Sequence, residues 1–426
     1  MMKTPFTREC IAENVYFGSV KDSRYKTNLL SVYLILPLEE DAMTENALVS
    51  LMLEKGYEDY PTFKEFSKKL NLMYGASVVT SVSKVGDRAI IRLEVSAIDN
   101  SYALNGEEIL KDSANLLAGM LLKPNMKNSL FDEKTFELQR DYLIDTIEAE
   151  INNKRKYAKT KTISIMFEGE AYGADSYGTI ESAKAITLKE VSDAYFRIID
   201  KANIEIIQVG MGDSEISKEV FKKAFENIKR HPATLPETKI SDFNGEVKNV
   251  TERFDVTQSK LCLGFKVNLT PDSELMNPMR LAIAILGGTP TSKLFTNVRE
   301  KKSLCYYCSA GYDSKKGYVL IDSGVEHDKI TDAKDAILEQ IDAVANGDFT
   351  DTDMEFAFLY LKNALNTVSE STYSVSNYYF MQSLMGFNNT PEKEIEEISK
   401  VQREDIIKAI KLLKLNTVYL LTDKEK

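Results

Sequence analysis

The amino-acid sequence predicts an α+β protein of two homologous domains, each a mainly antiparallel sheet packed with helices. The chain has 426 residues, more than the roughly 250 to 300 that one hydrophobic core usually organises. Hairpins and helices are mixed within each half of the chain, which is typical of the α+β class. The order of elements in the first half recurs in the second half, so the sequence indicates an internal duplication.

Each half opens with a strand followed by a helix. In the first half, the apolar run of residues 29–38 predicts a buried strand, and residues 47–53 predict a helix that ends at Gly56. In the second half, residues 261–269 alternate as a strand, and residues 279–286 predict a helix that ends at a pair of glycines. The two halves therefore share their first two elements.

The same order continues to the end of each half. A hairpin, two long helical segments, a further helix and a closing strand follow one another in both halves. In the first half these segments are residues 80–95, 104–122, 133–157, 186–195 and 204–209, and in the second half they are residues 306–325, 330–346, 353–370, 401–410 and 417–421.

A polar segment with two prolines begins at His231 and separates the two halves. Few core contacts can cross such a segment, which is typical of a linker between domains. The sequence therefore predicts an N-terminal domain over residues 1–230, a linker over residues 231–250 and a C-terminal domain over residues 251–426.

The charge and the apolar pattern exclude several functional classes. The formal net charge of -11 provides no basic surface for a phosphate backbone, so nucleic acid is not an expected partner. The longest apolar run, residues 29–38, contains Ser31 and Pro37 and is too short to span a membrane. The N-terminus has no apolar signal-peptide core, and four scattered cysteines fit a reducing compartment, so we expect a cytoplasmic protein without membrane association.

The local motifs offer little chemistry by themselves. Cys305 and Cys308 have the spacing of a redox pair or of half a zinc site, but no second cysteine pair and no nearby histidine completes four ligands. Because the two cysteines are three positions apart in a strand pattern, we expect them to face opposite sides of the sheet as small core residues. His231 and His327 are far apart in the sequence, so no His-x-x-x-His pair is present for zinc.

The order of elements and one long segment resemble the insulinase-type zinc peptidases, the family of pitrilysin and the mitochondrial processing peptidases. The segment, residues 287–306, contains two glycines, Ser-Lys-Leu-Phe, Arg-Glu-Lys and Leu-x-Tyr, and is similar to that family's C-terminal signature. The resemblance covers nearly the whole chain. It implies that the two domains face each other in a clamshell-like arrangement.

The chain departs from the family at the catalytic helix. In active relatives this helix carries His-x-x-Glu-His, in which two histidines bind zinc and the glutamate polarises the attacking water. Ala47, Ser50 and Leu51 occupy these three positions here. The family's more distant glutamate ligand falls near Thr146, with Glu148 close by. The resemblance therefore implies a degenerate site that binds no metal and needs no other cofactor.

Two residues of the second half match positions that the family uses for substrate. Arg299 and Tyr306 correspond to the arginine and tyrosine with which active relatives bind substrate and stabilise the reacting carbonyl. From the residues alone, Arg299 is better explained as an exposed helix residue and Tyr306 as an ordinary strand residue. The resemblance implies that both bind substrate.

Within the family, the pattern is similar to the YmfF-type proteins, which lack the zinc motif. This implies a homologue that is catalytically silent by itself and serves as the substrate-binding subunit of a paired peptidase. The expected partner is a zinc-bearing insulinase-type chain in a heterodimer, or a second copy in a homodimer, with a peptide as substrate. A non-proteolytic scaffold or adaptor, which the resemblance links to modification of elongation factor P, is the alternative. A third alternative is non-zinc chemistry in the same cavity, although no nucleophile and base can be named for it.

Overall fold

The computed structural model describes residues 5–240 and 242–424, and contacts divide them into two units, each assembled from three segments. Unit 1 comprises the residues up to Glu148, Ala174–Glu237 and Thr367–Asn388, and unit 2 comprises Ala149–Gly173, Thr238–Asn366 and the residues from Asn389 onwards.

The helices are distributed along the whole chain. Among the described residues, no helix combines the length and the apolar character needed to cross a membrane. The α-helices of this part of the chain are α1 Met43–Leu53, α2 Phe63–Leu72, α3 Ile109–Leu122, α4 Glu133–Ala149, α5 Lys154–Met166, α6 Ile180–Ala185, α7 Leu188–Lys201, α8 Ser214–Phe225, α9 Met276–Ile283, α10 Ile330–Ala345, α11 Asp351–Asn366, α12 Thr372–Leu384, α13 Pro391–Ser399 and α14 Arg403–Ile410. Two π-helical segments, Ala284–Gly288 and Leu294–Lys301, follow α9.

The strands form one main sheet in each unit. Those of unit 1 are β1 Thr7–Ala12, β2 Val15–Lys21, β3 Thr27–Pro37, β4 Ser77–Val85, β5 Arg88–Ile98, the short hairpin β6 Met126–Lys127 and β7 Leu130–Phe131, and β8 Asn203–Gly210. Those of unit 2 are β9 Lys248–Arg253, β10 Ser259–Val267, β11 Cys305–Asp313, β12 Tyr318–Val325 and β13 Leu413–Thr422.

The two sheets share a five-stranded topology, to which β1 adds a sixth strand at the edge of the unit 1 sheet. In the described part of unit 1 the strand order is β1-β2-β8-β3-β5-β4, with β2 and β8 parallel and the other neighbours antiparallel. In unit 2 the order is β11-β12-β10-β13-β9, with β13 and β9 parallel and the other neighbours antiparallel. Strands β2, β8, β3, β5 and β4 therefore correspond to β9, β13, β10, β12 and β11. The α+β class and the duplication predicted from the sequence are confirmed, including the equivalence of residues 29–38 and 261–269.

Strand β3 is buried on both faces, which explains its continuous apolar run. Leu30, Val32 and Leu34 face a core that the helix α1 also lines. Tyr33 and Ile35 point the other way, into a second core that contains residues of α12. Successive side chains of a strand alternate between its two faces, so a strand covered on both sides must be apolar at nearly every position.

The helix that covers the second face of β3 comes from the other half of the chain. The ring of Phe380 on α12 stacks on Tyr33 with 3.8 Å between ring centroids. The hydroxyls of Tyr33 and Ser376 are hydrogen-bonded at 3.0 Å. In unit 2 the equivalent face is covered by α5, which belongs to the first half and packs on β10 and β13. Gly264 of β10 permits this contact, because a Cβ there would overlap the sulfur of Met166 on α5.

The units therefore differ from the continuous domains that the sequence predicted over residues 1–230 and 251–426. Residues Ala149–Gly173 group with unit 2 and Thr367–Asn388 with unit 1. The physical reason is that each sheet requires an apolar helix over its second face, and this helix follows the long helix of the opposite half. The outer ends of the predicted domains, at residues 1 and 426, lie outside the described residues, as does residue 241 of the predicted linker, residues 231–250.

Replacement of Phe380 by alanine should destabilise unit 1 by about 3–5 kcal/mol, because it removes a buried ring and leaves a cavity against Tyr33. The measurement is the exchange of β3 and β8 amide protons with and without denaturant. Phe356→Ala is the matched control: its side chain is 43 % exposed, and the expected change is within about 0.5 kcal/mol. Equal protection of β3 in both variants would contradict this account of the helix.

Candidate functional site

The positions that carry zinc ligands in active relatives lie on α1 and belong to the core of unit 1. Ala47 is 1 % exposed and Ser50 is 3 % exposed. Leu51 is half-buried and packs against the same core. The helix α1 contacts α7 and the strands β4 and β5, so its inner face is filled with protein atoms. In this chain α1 is therefore a helix that packs in the core and presents no zinc ligands.

The position of the distant ligand is equally without a metal-binding group. Thr146 lies on α4 and donates its hydroxyl proton to the carbonyl oxygen of Tyr142 at 2.8 Å. The neighbouring Glu148 is exposed near the end of the same helix. Within residues 5–240 and 242–424, no group of three or more His, Cys, Asp or Glu side chains is placed to hold a metal ion. The residues present therefore do not fit a catalytic zinc ion, which needs nitrogen, sulfur or carboxylate ligands.

Both histidines of the chain are engaged elsewhere. The Nδ1 atom of His231 lies 2.8 Å from the carboxylate of Asp200 in unit 1. The Nδ1 atom of His327 lies 2.8 Å from the hydroxyl of Ser259 in unit 2. Neither histidine is near α1 in the sequence, and neither imidazole is hydrogen-bonded to α1. A different sequence alignment of α1 therefore cannot supply the missing histidines of the motif.

Arg299 lies on the surface of unit 2, on the π-helical segment Leu294–Lys301. Its guanidinium stacks over the ring of Phe295 at 4.5 Å, and its side chain is 38 % exposed. The neighbouring Glu300 pairs with it at 3.5 Å. The stacking restricts the guanidinium while the side chain stays partly exposed, an arrangement that suits recognition of a carbonyl or carboxylate.

Tyr306 lies close by, at the start of β11, and is 61 % exposed. Its hydroxyl donates to the carboxylate of Glu326 over a long distance of 3.4 Å. The strand pairing explains its exposure: Cys305 pairs with Val325 and Tyr307 with Gly324, so Tyr306 is the extra residue of a β-bulge. A bulge pushes its extra residue out of the ladder, and here this residue is the tyrosine that the resemblance singles out.

The bulge also overturns the sequence prediction for the two neighbouring cysteines. Cys308 pairs with Ser323, which is two positions from Val325, the partner of Cys305. Residues two apart on one strand share a face, and paired residues of neighbouring strands point to the same side. Cys305 and Cys308 therefore lie on the same face of the sheet. The prediction of opposite faces was wrong because it assumed a regular strand.

An apolar stripe that was not predicted from the sequence recurs on equivalent helices. Leu138 and Tyr142, the sixth and tenth residues of α4, are exposed, and so are Phe356 and Tyr360, the sixth and tenth residues of α11. Positions four apart lie on one helix face, so the α4 stripe continues to Thr146, where active relatives carry their distant ligand. The signal that could have found it is an apolar pair at i and i+4, repeated at the same register in both halves.

Comparison with known proteins identifies the class. Residues 185–358 match the family model described as the peptidase M16 inactive domain. The insulinase-type resemblance that the sequence predicted is confirmed for these residues.

This chain matches two of three similar proteins over nearly its whole length. It is 28 % identical over 406 residues to the probable inactive metalloprotease YmfF of Bacillus subtilis strain 168, with 95 % of each chain covered. It is 29 % identical over 164 residues to the uncharacterized zinc protease YmxG of the same organism, with 37 % of this chain and 39 % of that protein covered. A crystal structure of a conserved protein from Enterococcus faecalis V583 shares the fold with a TM-score of 0.92 at 22 % identity, over 99 % of this chain and 100 % of that chain.

The purified chain should contain no stoichiometric zinc, because alanine, serine, leucine and threonine occupy the ligand and base positions. Elemental analysis after dialysis measures this directly. The same sample should cleave no unstructured peptide. One zinc per chain, together with proteolysis that a chelator abolishes, would show that the metal site lies elsewhere.

Restoring the motif should destabilise the protein without restoring proteolysis. Ala47→His places an imidazole where the core is full, and overpacking of this kind typically costs about 1–3 kcal/mol. Leu51→His is the matched control, since a half-buried position accepts the ring with a smaller loss. Denaturant unfolding ranks the two variants. A triple variant that also carries Ser50→Glu, binds zinc and cuts peptide would contradict the expectation that the three motif residues alone do not restore proteolysis.

Proposed function

We propose that this chain is the substrate-binding subunit of a paired peptidase, in which a zinc-bearing insulinase-type chain supplies the metal and this chain supplies Arg299 and Tyr306. One observation carries the proposal. The ligand positions of α1 have become core, whereas the two substrate positions are still occupied by the expected side chains and remain exposed on unit 2. By itself the chain is then a non-catalytic member of a peptidase family. Its free, scattered cysteines support a reducing compartment such as the cytoplasm.

The two side chains can perform complementary tasks on a peptide. The guanidinium of Arg299 presents a fork of N–H donors that can bind a carbonyl or a carboxylate in two-point contact. The phenol of Tyr306 can donate a hydrogen bond to the oxygen on which negative charge develops when water attacks the scissile carbonyl. Neither task requires a metal in this chain, and both require a partner that activates the water.

The apolar stripes on α4 and α11 supply contacts for the rest of the peptide. Leu138, Tyr142, Phe356 and Tyr360 are large and exposed, and aromatic side chains offer large contact areas at a small cost in conformational entropy. On α4 the stripe is continuous with Thr146, so it follows the face that active relatives direct towards the reaction. The acidic chain, with a net charge of -11, favours basic or neutral peptides.

A scaffold or adaptor is the second candidate function. It is favoured by the similarity to a protein described as a probable inactive metalloprotease, because no cleavage is needed in that role. In that case the exposed stripes bind a protein that is not cut. A homodimer, in place of the heterodimer, also belongs to this alternative, since two copies of this chain bring no zinc ligands at the motif positions.

Tyr306→Phe and Arg299→Ala should each lower the turnover of the assembled pair by about a hundredfold to a thousandfold, the usual loss when one donor to the developing oxyanion is removed. The pair is obtained by copurifying the insulinase-type chain that binds this protein, and turnover is measured on a fluorogenic peptide. Folding and assembly must be unchanged in both variants.

Tyr102→Phe and Arg140→Ala are matched controls. Tyr102 is an exposed tyrosine of unit 1, and Arg140 lies over Phe136 and beside Asp141, just as Arg299 lies over Phe295 and beside Glu300. Both controls should retain full turnover. If Tyr306→Phe and Arg299→Ala also leave an active pair at wild-type turnover, the shared-site mechanism is refuted and the scaffold function stands.

A further inference from the structure

The bulge at Tyr306 creates a pair of thiols that the strand pattern would keep apart. Because one residue is inserted into β11, Cys305 and Cys308 occupy successive positions on one face of the sheet, opposite Val325 and Ser323. Both cysteines are free thiols. Neighbours on one face of a strand are close enough for their side chains to touch, as residues three apart in a regular strand are not.

This face is turned towards the π-helical segments. Ala310, two positions beyond Cys308 on the same face, lies against Gly287, where an added Cβ would meet Ala310 at 2.8 Å. The segment Leu294–Lys301, which carries Arg299, contacts β11. Cys308 is 6 % exposed, whereas Cys305 is half-buried near the edge. The Cys305 thiol is therefore partly accessible, whereas the Cys308 thiol is buried.

The surroundings give the two thiols different acidities. Interaction with the Cys308 thiol, with smaller contributions from Ser323 and the Arg299 cation, lowers the pKa of Cys305 to about 7 despite partial burial. The same interaction and deeper burial raise the pKa of Cys308 well above its usual range. Cys305 is therefore the more acidic thiol of the pair and the one more readily present as thiolate.

We propose that Cys305 and Cys308 form a dithiol site that hydrogen peroxide oxidises to a disulfide. The Cys305 thiolate attacks one peroxide oxygen, the O–O bond breaks, and the products are a sulfenic acid and hydroxide, which takes up a proton as water. The Cys308 sulfur then attacks the sulfenic sulfur, an S–S bond forms, and its proton leaves with the displaced hydroxyl as water. Two electrons pass from the thiols to the peroxide. A dithiol reductant reverses the step by thiol–disulfide exchange, as a reducing compartment requires.

The disulfide would close a small ring around the bulge. Tyr306 and Tyr307 are the residues enclosed between the two sulfur atoms in sequence, so oxidation constrains the backbone that presents Tyr306. The oxidation itself does not rest on the proposed function, because it depends on the cysteines and their neighbours in unit 2 alone. Its test can therefore succeed or fail independently of any peptidase assay.

Digestion with trypsin provides an assay for the disulfide between Cys305 and Cys308. Lys302 and Lys315 flank the pair, so trypsin releases both cysteines in one peptide, residues 303–315, which contains no other cysteine. The folded full chain is treated with one equivalent of hydrogen peroxide at neutral pH, and the remaining thiols are alkylated. After digestion with trypsin, the mass of the peptide is measured by mass spectrometry. The expected product is peptide 303–315 lighter by two hydrogen atoms and unalkylated, and dithiothreitol should restore its alkylation. A wild-type peptide that stays fully alkylated, or that carries a higher oxide of Cys305 with a free Cys308, would refute the proposal.

Variants separate the roles of the two thiols. Cys308→Ser should stop the reaction at a sulfenic acid on Cys305 that dimedone traps, and Cys305→Ser should leave Cys308 unreactive towards peroxide. Cys10→Ser is the control: Cys10 is exposed at the opposite end of the sequence, and its loss should not change the product. A disulfide that forms in Cys305→Ser, or that disappears in Cys10→Ser, would contradict the assignment.

The pH dependence provides a measurement that needs no variant. The rate of Cys305 alkylation follows its thiolate fraction, so it should rise with pH through a midpoint near 7. At pH 7 the thiolate fraction of Cys305 should exceed that of an unshifted thiol of pKa 9 by roughly fiftyfold, and the alkylation rate should be higher by a smaller factor because a more acidic thiolate is a weaker nucleophile. A midpoint near 9 would overturn the proposed role of Cys305.

Discussion

The burial of β3 and β10 on both faces is the constraint on which the rest of the structure depends. Each strand lies in the middle of its sheet and must be covered above and below, since every apolar side chain left in water costs about 25 cal/mol per Å². One cover is local, but the other is α12 for unit 1 and α5 for unit 2, and each comes from the opposite half of the sequence. Neither half of the chain can complete its own unit. The duplication is therefore also an exchange, and the chain folds as two units that each require both halves.

This constraint explains why the peptidase fold survives without its metal. The strands β3 and β10 and the helices α12 and α5 that cover them contain none of the motif positions, so loss of the ligands leaves this packing intact. On α1, Ala47 is buried in the core, whereas a zinc ligand at this position would need a side chain that reaches out of the core to a metal. A catalytic zinc site is an addition to a stable scaffold, unlike the structural zinc of a small domain, whose removal unfolds the protein.

Much of the fold could be predicted from the sequence, because the period of the repeat and the two-sided apolar run at residues 29–38 are both visible in it. The exchange of α5 and α12 could not, since the pattern of an amphipathic helix shows which side is apolar and does not show which sheet it covers. The loss of ligands at Ala47, Ser50 and Leu51 is likewise a property of the sequence. The exposure of Leu138 and Tyr142 could not be predicted, because the sequence does not distinguish exposed apolar residues of a helix from core residues.

The bulge at Tyr306 was the hardest feature to predict and links the features of unit 2. Nothing in Cys-Tyr-Tyr-Cys departs from a strand pattern, and the extra residue is detectable when the partners in β12 are known. That single insertion exposes Tyr306 and reverses the relation between Cys305 and Cys308. A regular strand would bury one of these residues or separate the thiols. The same irregularity therefore accounts both for the exposure of the side chain proposed to bind substrate and for the pairing of the thiols proposed to be oxidised, and any substitution that removes the bulge should change the two together.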